Sequence, residues 1–345
     1  MTLFLHIGMQ KTGTTSLQIS MAMARPALAK AGLLYPSGTL GLDLEPTNAH
    51  HYLAHAMMGH RFDHTPQADL DLVEAHCAHL TAAAAGFAGD TILSSEDLSR
   101  LPAAAIPRLR ALLPAETKVV VYLRRQDYWV DSLYGQSLKF GPGQGLEAFL
   151  AQIAPRLDYA ALLAAWSDSF GAENIVVRAY ERRARRDLWA DFCVATRQPQ
   201  ARKALSRPRR DNVSLTRHQI ALLDAAPDAD LRRGLRRLLE RHNQRRGNQP
   251  DLLRHLPAAR AADILAGQAE NNRAVAQRFL ARDALFADQA PPCEDMAPPE
   301  DLTPIRALLA GTPAGAMADA ETGKALLDAI RAALHRQEAA GGDSA

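Results

Sequence analysis

The chain has 345 residues, and its 40 Lys and Arg residues against 38 Asp and Glu residues give a net charge of +2. This length is enough to bury a full hydrophobic core in one large domain, with or without a smaller appendage. The near-neutral charge gives no general electrostatic reason to expect a nucleic-acid partner.

The number of cysteines and the length of the apolar segments indicate the cellular compartment in which the chain is expected. The three cysteines are widely separated, which argues against a disulfide framework or a zinc site and favours a reducing environment. The sequence has no run of 18 apolar residues, and it opens with the strand-like segment TLFLHIG instead of a charged and then apolar leader. We therefore expect no signal peptide, no membrane span and a cytoplasmic location.

Short apolar segments alternate with helical patterns up to about residue 180, which predicts an α/β fold with a central, mainly parallel sheet. Strands are predicted over residues 2–8, 90–95, 117–124 and 173–181. One helix is predicted over residues 14–32, continuing through Pro26, and a second over 126–140, ending before the Gly-Pro-Gly that follows.

The predicted domain covers residues 1–287, with an α/β core over about 1–200 and a helical elaboration over about 201–287. In the second half strand signals vanish, and segments such as LRRGLRRLLERHNQRRG and NNRAVAQRFLARDALFAD predict helices. Residues 288–345 are predicted to form a Pro-rich, acidic linker and a peripheral C-terminal helix.

The segment LFLHIGMQKTGTTSLQI contains a near match to the phosphate-binding loop G-x-x-x-x-G-K-[ST]. Thr14 takes the place of the lysine, and the cation stands three positions earlier, at Lys11. A glycine-containing turn between a strand and a helix directs backbone N–H groups and the positive end of the helix dipole at one anion. An ordinary strand-to-helix turn is the alternative, but Lys11 and the two threonines at the helix start favour an anion site.

A second candidate anion site follows the strand TKVVVYL. Arg124 stands at the end of this strand, and Ser132 lies eight positions later, about two turns into the next helix. A guanidinium and a hydroxyl in these places could meet one phosphate. For this element alone, a solvated arginine and a surface serine are the alternative.

Together the two elements resemble the cofactor site of the sulfotransferases that use 3′-phosphoadenosine-5′-phosphosulfate (PAPS). In that family a K-[ST]-G-T-[TS] loop after the first strand holds the 5′-phosphosulfate, and a strand-end arginine with a serine eight residues on holds the 3′-phosphate. The lead-in HIGMQKTGTTSLQ is most similar to the bacterial and carbohydrate-type branch. The resemblance implies a P-loop-like three-layer fold over about residues 1–200. The cofactor-binding residues that it implies are Gln10, Lys11, Thr12, Gly13, Thr14, Thr15, Ser16, Arg124, Ser132 and Arg210.

The resemblance implies a metal-independent, in-line transfer of a sulfuryl group from PAPS to a hydroxyl or amine of a saccharide or polar metabolite. It also accounts for the displaced lysine, because PAPS has no γ-phosphate and the reaction needs no magnesium. Lys11 is then expected to stabilise the charge of the leaving oxygen as a catalytic residue.

The general base is expected in TNAHHYLAHAMMGH or in SSEDLS. His51 and Glu96 are the candidates by location, and Glu96 follows a strand end, where ligands gather in open α/β sheets. A helical face without a catalytic part and a carboxylate that caps the next turn are the respective alternatives. His6, in the first predicted strand, is interpreted as a packed core or edge histidine. No spacing of the histidines predicts a metal site.

Basic segments in the second half have two interpretations. Arg209, Arg210 and Asn212 are candidates to close over the 3′-phosphate, but the segment lacks the R-K-G sequence of the small-molecule branch, and a solvated loop is the alternative. The arginine-rich segments 181–186 and 231–246 are interpreted as solvated faces, with attraction of an anionic acceptor left open. A homodimer also stays open, because the C-terminal helices could pack on the sheet or on a second subunit.

Two other functions compete with sulfuryl transfer. A P-loop kinase or NTPase would need the lysine that Thr14 replaces and an acidic residue at the end of an apolar strand, whereas VVVYL runs into Arg124. A catalytically inactive relative would bind the nucleotide without transferring sulfate. The retained Lys11, Thr14, Arg124 and Ser132 argue against such a loss.

Overall fold

The computed structural model describes residues 1–38, 47–59, 70–140, 145–181, 184, 186–205, 215–216, 219–220, 223, 229–246 and 255–287. Two compact units are interleaved along the chain: Met1–Trp129, Ile153–Arg209 and Ile264–Ala290 in the first, and Val130–Gln152, Arg210–Asp263 and Pro291–Ala345 in the second. Arg209, Arg210, Asn212 and the predicted linker and helix of 288–345 lie outside the described residues, so the predictions for them stay predictions.

The first unit contains a sheet of five parallel strands. They are β1 (Leu3–His6), β2 (Leu33–Leu34), β3 (Asp90–Ser94), β4 (Thr117–Leu123) and β5 (Ile175–Ala179). Their order across the sheet is β2–β3–β1–β4–β5, and every pair of neighbours is parallel. The predicted α/β fold with a central parallel sheet is confirmed. Strand β2 was not predicted, because two residues are too few to form a recognisable pattern.

Helices surround this sheet and extend into the second unit. Those described are α1 (Thr14–Met23), α2 (Arg25–Lys30), α3 (His51–Met58), α4 (Leu70–Gly86), α5 (Ile106–Leu112), α6 (Gln126–Phe140), α7 (Leu146–Ile153), α8 (Tyr159–Phe170), α9 (Leu188–Ala195), α10 (Ala229–Arg246), α11 (Ala258–Gly267) and α12 (Ala269–Leu280). None of the helices in the described ranges is both long and apolar enough to cross a membrane.

The predicted helix over 126–140 is confirmed by α6. The prediction of one helix over 14–32 is wrong, because α1 ends at Met23 and α2 begins at Arg25. Pro26 occupies the start of α2, where its missing N–H costs no intrahelical hydrogen bond. The helical pattern that starts near residue 271 also stops early, since α12 ends at Leu280 and Ala281 takes a left-handed conformation with φ 51°.

Strands β1 and β4 are buried on both faces, as their continuous apolar runs require. On one face a cluster includes Phe4 of β1, Tyr122 of β4, Met21 of α1, and Trp189 and Phe192 of α9. Burying each such side chain contributes about 1.5–3 kcal/mol relative to leaving it exposed. Because β1 is the central strand, the loop that follows it lies between the strand ends of β3 and β4.

The second unit is helical where the structure describes it. Lys139 of α6 forms an ion pair of 2.6 Å with Glu240 of α10. Asp131 Oδ1 accepts hydrogen bonds of 2.7 Å and 2.8 Å from the backbone N–H groups of His255 and Leu256. These contacts hold α6 to α10 and to the segment that precedes α11.

Candidate active site

The loop after β1 is fixed by hydrogen bonds that continue the ladder of the sheet. Ile7 N–H donates to the carbonyl of Val120 at 3.0 Å, and Tyr122 N–H donates to the carbonyl of Gly8 at 2.8 Å. The Thr12 hydroxyl donates to the carbonyl of Met9 at 2.6 Å, so this buried side chain closes the loop on itself. Lys11 lies within this loop in a left-handed conformation, with φ 62°.

Helix α1 begins at this loop without a side-chain capping hydrogen bond. Gly13 is the N-cap, with φ 80° and ψ 13°, and no side chain accepts a hydrogen bond there. The first turn of α1 contains no acidic residue, and its first intrahelical bond runs from Leu17 N–H to the carbonyl of Gly13 at 3.1 Å. The N–H groups of the first turn have no intrahelical acceptor and, with the helix dipole, favour an anion. Thr14 is buried at this start, whereas Thr15 is exposed.

Arg124, at the end of β4, reaches this loop directly. Its Nη1 donates to the carbonyl of Lys11 at 3.0 Å. Arg124, one residue of the second predicted phosphate-binding element, therefore contacts the loop at the carboxyl edge of the sheet. The Tyr159 hydroxyl of α8 donates to the carbonyl of Arg124 at 2.7 Å and so fixes the end of the strand.

A second group of contacts holds the loop at Gln10. The indole N–H of Trp129 donates to the backbone carbonyl of Gln10 at 3.0 Å, and Arg156 Nη2 donates to its side-chain Oε1 at 3.0 Å. The Arg156 guanidinium carbon lies 4.9 Å from the centroid of the Trp129 ring. Gln10 is thus bound through both its backbone and its side chain.

Glu96 lies directly against the other side of the loop. A Cβ atom placed on Gly8 would come within 2.8 Å of Glu96 Cα, so the two backbones approach as closely as glycine allows. Gln18 of α1 donates from Nε2 to Glu96 Oε2 at 2.8 Å. Glu96 is half-buried and opens the short 3₁₀ helix Glu96–Arg100, whose N-cap is Ser95. The alternative that Glu96 caps this turn is therefore wrong, since the Ser95 hydroxyl accepts from Asp97 N–H.

His51, the first residue of α3, is held by Asp97 and Ser95. Its Nδ1 lies 3.2 Å from Asp97 Oδ2 and 2.9 Å from the Ser95 hydroxyl oxygen. Burial lowers the pKa of His51, but the hydrogen bond to Asp97 and the charges of Glu96 and Asp97 outweigh it, so the net pKa is raised. An ionised carboxylate only accepts, so Nδ1 carries the proton and Nε2 of the neutral ring is available as a base.

Asp97 also contacts two other basic side chains. His55 Nε2 lies 3.5 Å from Asp97 Oδ2, and Arg100 Nη1 lies 3.6 Å from Asp97 Oδ1. Burial of Asp97 raises its pKa, but its hydrogen bonds with His51 and His55 and their charges outweigh this and lower it strongly. Asp97 therefore stays ionised and can orient His51 throughout the neutral range.

Ser94, the last residue of β3, connects the histidines around the site. Its hydroxyl oxygen lies 2.8 Å from His6 Nδ1 and accepts from Gln18 Nε2 at 3.1 Å. Its backbone N–H donates to His50 Nδ1 at 3.0 Å, and His50 Nε2 lies 3.3 Å from the carbonyl of Pro36. The prediction that His6 is a packed core histidine is confirmed, because it is buried and burial lowers its pKa to about 3.

Among the predicted site residues, the loop, Arg124, Glu96 and His51 come together in the first unit. Gln10, Lys11, Gly13 and Ser16 are half-buried there. Ser132 is half-buried on α6, in the second unit, and its pairing with Arg124 stays a prediction.

Sequence reasoning missed four residues of this site: Gln18, Asp97, Arg100 and Arg156. For Gln18 a signal existed, since it lies one helical turn after Thr14, on the same side of α1. Within the described ranges, no group of three or more His, Cys, Asp or Glu side chains is arranged to hold a metal ion.

Comparisons with known proteins give limited similarity. No family model matches the chain. A stretch of 93 residues is 36% identical to an uncharacterized protein of Archaeoglobus fulgidus, covering 27% of this chain and 25% of that protein. The chain thus matches about a quarter of the length of that relative.

Two solved structures, both of sulfotransferases, align with part of the chain. The crystal structure of a sulfotransferase from Alicyclobacillus acidocaldarius aligns with a TM-score of 0.40 and 17% identity over 65% of this chain and 90% of that one. Mouse sulfotransferase SULT7A1 complexed with PAP aligns with a TM-score of 0.30 and 13% identity over 57% of this chain and 58% of that one. Such TM-scores are too low to establish a function, so the assignment depends on the residues of the site.

Proposed function

We propose that this chain is a PAPS-dependent sulfotransferase of the carbohydrate-type branch, which transfers a sulfuryl group to a hydroxyl or amine of a saccharide or polar metabolite. The observation that carries the proposal is the hydrogen bond of 3.0 Å from Arg124 to the carbonyl of Lys11. It joins a cradle for one phosphate to a cation suited to the second phosphate of a 3′,5′-bisphosphorylated adenosine.

The start of α1 fits the 5′ end of such a donor. Its cap is a glycine with no capping side chain, and no acidic residue repels an anion from the first turn. Gly13 has φ 80°, a conformation that favours glycine, and a side chain there would also come within 2.8 Å of Leu188 Cδ2 and 3.1 Å of the Tyr180 hydroxyl. PAPS supplies the activated sulfuryl group when it is bound. Lys11 and the loop N–H groups stabilise the charge that develops on its departing oxygen.

His51 is the better placed of the two candidate bases. Its Nδ1 is held by Asp97, so Nε2 can accept the proton of an acceptor hydroxyl. The raised pKa of His51 also makes it a stronger base than an ordinary imidazole. Glu96 Oε2 accepts from Gln18, and its charge raises the pKa of His51, which gives Glu96 a supporting electrostatic part.

Calorimetric titration with 3′,5′-ADP in the presence of EDTA tests the donor site. We expect binding by the wild-type chain and a loss of at least about 100-fold in affinity for Lys11→Ala combined with Arg124→Ala, because two charge-assisted hydrogen bonds contribute about 1.5–3 kcal/mol each. Lys30→Ala combined with Arg273→Ala removes the same charges from exposed positions and is the matched control. Equal affinity of the wild type and the Lys11/Arg124 variant would refute the proposal.

A further titration and a transfer assay separate the competing functions. A P-loop NTPase would bind ATP only with magnesium and would show little affinity for 3′,5′-ADP. An inactive relative would bind 3′,5′-ADP but leave the label of [³⁵S]PAPS on the donor with every acceptor supplied. The cytoplasmic location stays a prediction from the cysteine content.

A further inference from the structure

Arg156 is a half-buried cation that the transfer reaction described above does not use. It lies in the short 3₁₀ helix Ala154–Leu157, ahead of α8. Its guanidinium donates to the neutral side-chain oxygen of Gln10 and lies over the ring of Trp129. Of the carboxylates in the described ranges, none forms an ion pair with Arg156.

The charges around Arg156 do not neutralise it. Burial and, next, the charge of Arg100 lower its pKa to about 10, while Tyr159 and Asp97 have smaller opposing effects. Asp97 is in contact with His51, His55 and Arg100 instead. Arg156 is still protonated at neutral pH, and among the described residues the hydrogen-bond acceptor of its guanidinium is a neutral oxygen.

The neighbours of Arg156 belong to two parts of the candidate site. Gln10, its partner, belongs to the loop that holds the donor. Arg100 and Asp97, its charged neighbours, belong to the 3₁₀ helix that positions His51. Arg156 thus contacts the donor loop and lies within electrostatic reach of the 3₁₀ helix that positions His51.

We propose that Arg156 binds an oxyanion of the acceptor, so that the acceptor class is an anionic hydroxyl compound bearing a carboxylate or a sulfate, such as an acidic saccharide. The inference rests on the proposed function of the site. A guanidinium is suited to this task, because its planar donors match the two oxygens of a carboxylate or sulfate. The ring of Trp129 fixes the plane of the guanidinium before the acceptor arrives.

A matched pair of acceptors tests the charge preference. The chain is saturated with 3′,5′-ADP and titrated with 4-nitrophenyl β-D-glucuronide or 4-nitrophenyl β-D-glucoside, which differ by one carboxylate. We expect the wild type to bind the glucuronide at least tenfold more tightly, and Arg156→Gln to remove this preference. Arg273→Gln makes the same exchange at an exposed position of α12 and is expected to retain it. Equal binding of both probes by the wild type, or a preference that survives Arg156→Gln, overturns the inference.

One more variant and one more measurement separate this role from others at the same place. Gln10→Ala removes the side-chain partner of Arg156 but keeps the cation, so we expect this variant, once saturated with 3′,5′-ADP, to retain the preference for the glucuronide. Loss of the glucuronide preference in Gln10→Ala would make Arg156 a support for the loop only and overturn the inference. A loss of PAPS affinity relative to 3′,5′-ADP in Arg156→Gln, with the glucuronide preference intact, would assign Arg156 to the sulfuryl group of the donor and also overturn it.

The affinity for 3′,5′-ADP is measured first on each variant. Failure of the proposed function then shows as the absence of this binding in the wild type. Failure of the acceptor inference shows as normal 3′,5′-ADP binding without a charge preference. The two failures are therefore distinguishable.

Discussion

Gly8→Ala tests the close approach between the loop and Glu96. Gly8 has φ 90°, and a Cβ atom at this position would lie 2.8 Å from Glu96 Cα and 2.9 Å from Glu96 Cβ. The substitution therefore has two costs, which are backbone strain at a positive φ and overlap with backbone atoms that cannot rotate away.

The magnitude follows from a comparison with Gly32. Strain at a positive φ costs roughly 1–2 kcal/mol for an L-residue. Relieving the overlap costs about 1–3 kcal/mol more, as in other overpacked interiors. Gly32→Ala has only the first cost, because Gly32 has φ 79° and a Cβ atom added there would meet no other atom within 4 Å. We expect Gly8→Ala to lower the free energy of unfolding by about 1–3 kcal/mol more than Gly32→Ala does.

Urea denaturation followed by tryptophan fluorescence measures this difference. Trp129, Trp166 and Trp189 are all buried in the first unit, so the signal reports the unfolding of the sheet and its helices. Calorimetry with 3′,5′-ADP on the same samples shows whether the displaced loop still binds. If Gly8→Ala and Gly32→Ala are equally stable, the loop does not approach Glu96 as described.

The remaining predictions concern the base and the strand end. Asp97→Asn lowers the pKa of His51, measured from its ring resonances against pH; an unchanged pKa would contradict the pairing. The pair stabilises the fold most between pH 3.8 and 6.5. The pKa of Asp97 is lowered by folding, so its contribution to the free energy of unfolding is lost as the pH falls below this range. The pKa of His51 is raised by folding, so its contribution is lost as the pH rises above this range. Arg125→Ala removes the guanidinium from the fully buried Asp127 and lowers the free energy of unfolding by about 3–5 kcal/mol in urea, with partial recovery when Asp127→Ala is added. Tyr159→Phe leaves the strand-end carbonyl without its hydroxyl donor and costs about 1–3 kcal/mol by the same assay, whereas no loss would show that water replaces it.

The parts of the fold that local pattern determines could be predicted from the sequence. The valine-rich strand β4 and the helix α6 have apolar periodicity and clear end signals, so their bounds agree closely with the prediction. The loop at residues 8–13 was recognisable because its glycines, lysine and threonines have fixed spacing. Arg124 contacts the loop because parallel strands end at one edge of a sheet.

The rest of the site depends on contacts between distant residues. Arg156 and Gln10 are 146 positions apart, and nothing in the local sequence of either residue indicates the other. His51 and Asp97 are brought together by the packing of α3 on the 3₁₀ helix after β3, which no periodicity predicts. The helix break after Met23 was missed for a different reason, since a proline is tolerated both within a kinked helix and at the start of a new one.

The hydrogen bonds of His50 separate two adjacent imidazoles that look equivalent in the sequence. Because Ser94 N–H donates to its Nδ1, the lone pair of His50 faces β3, and its proton on Nε2 points to the carbonyl of Pro36. In this tautomer His50 connects the backbone of Ser94 to the backbone of Pro36 through its two ring nitrogens. Under the proposed function, the neighbouring His51, whose Nδ1 lies against Asp97, is the ring that keeps a nitrogen for proton transfer.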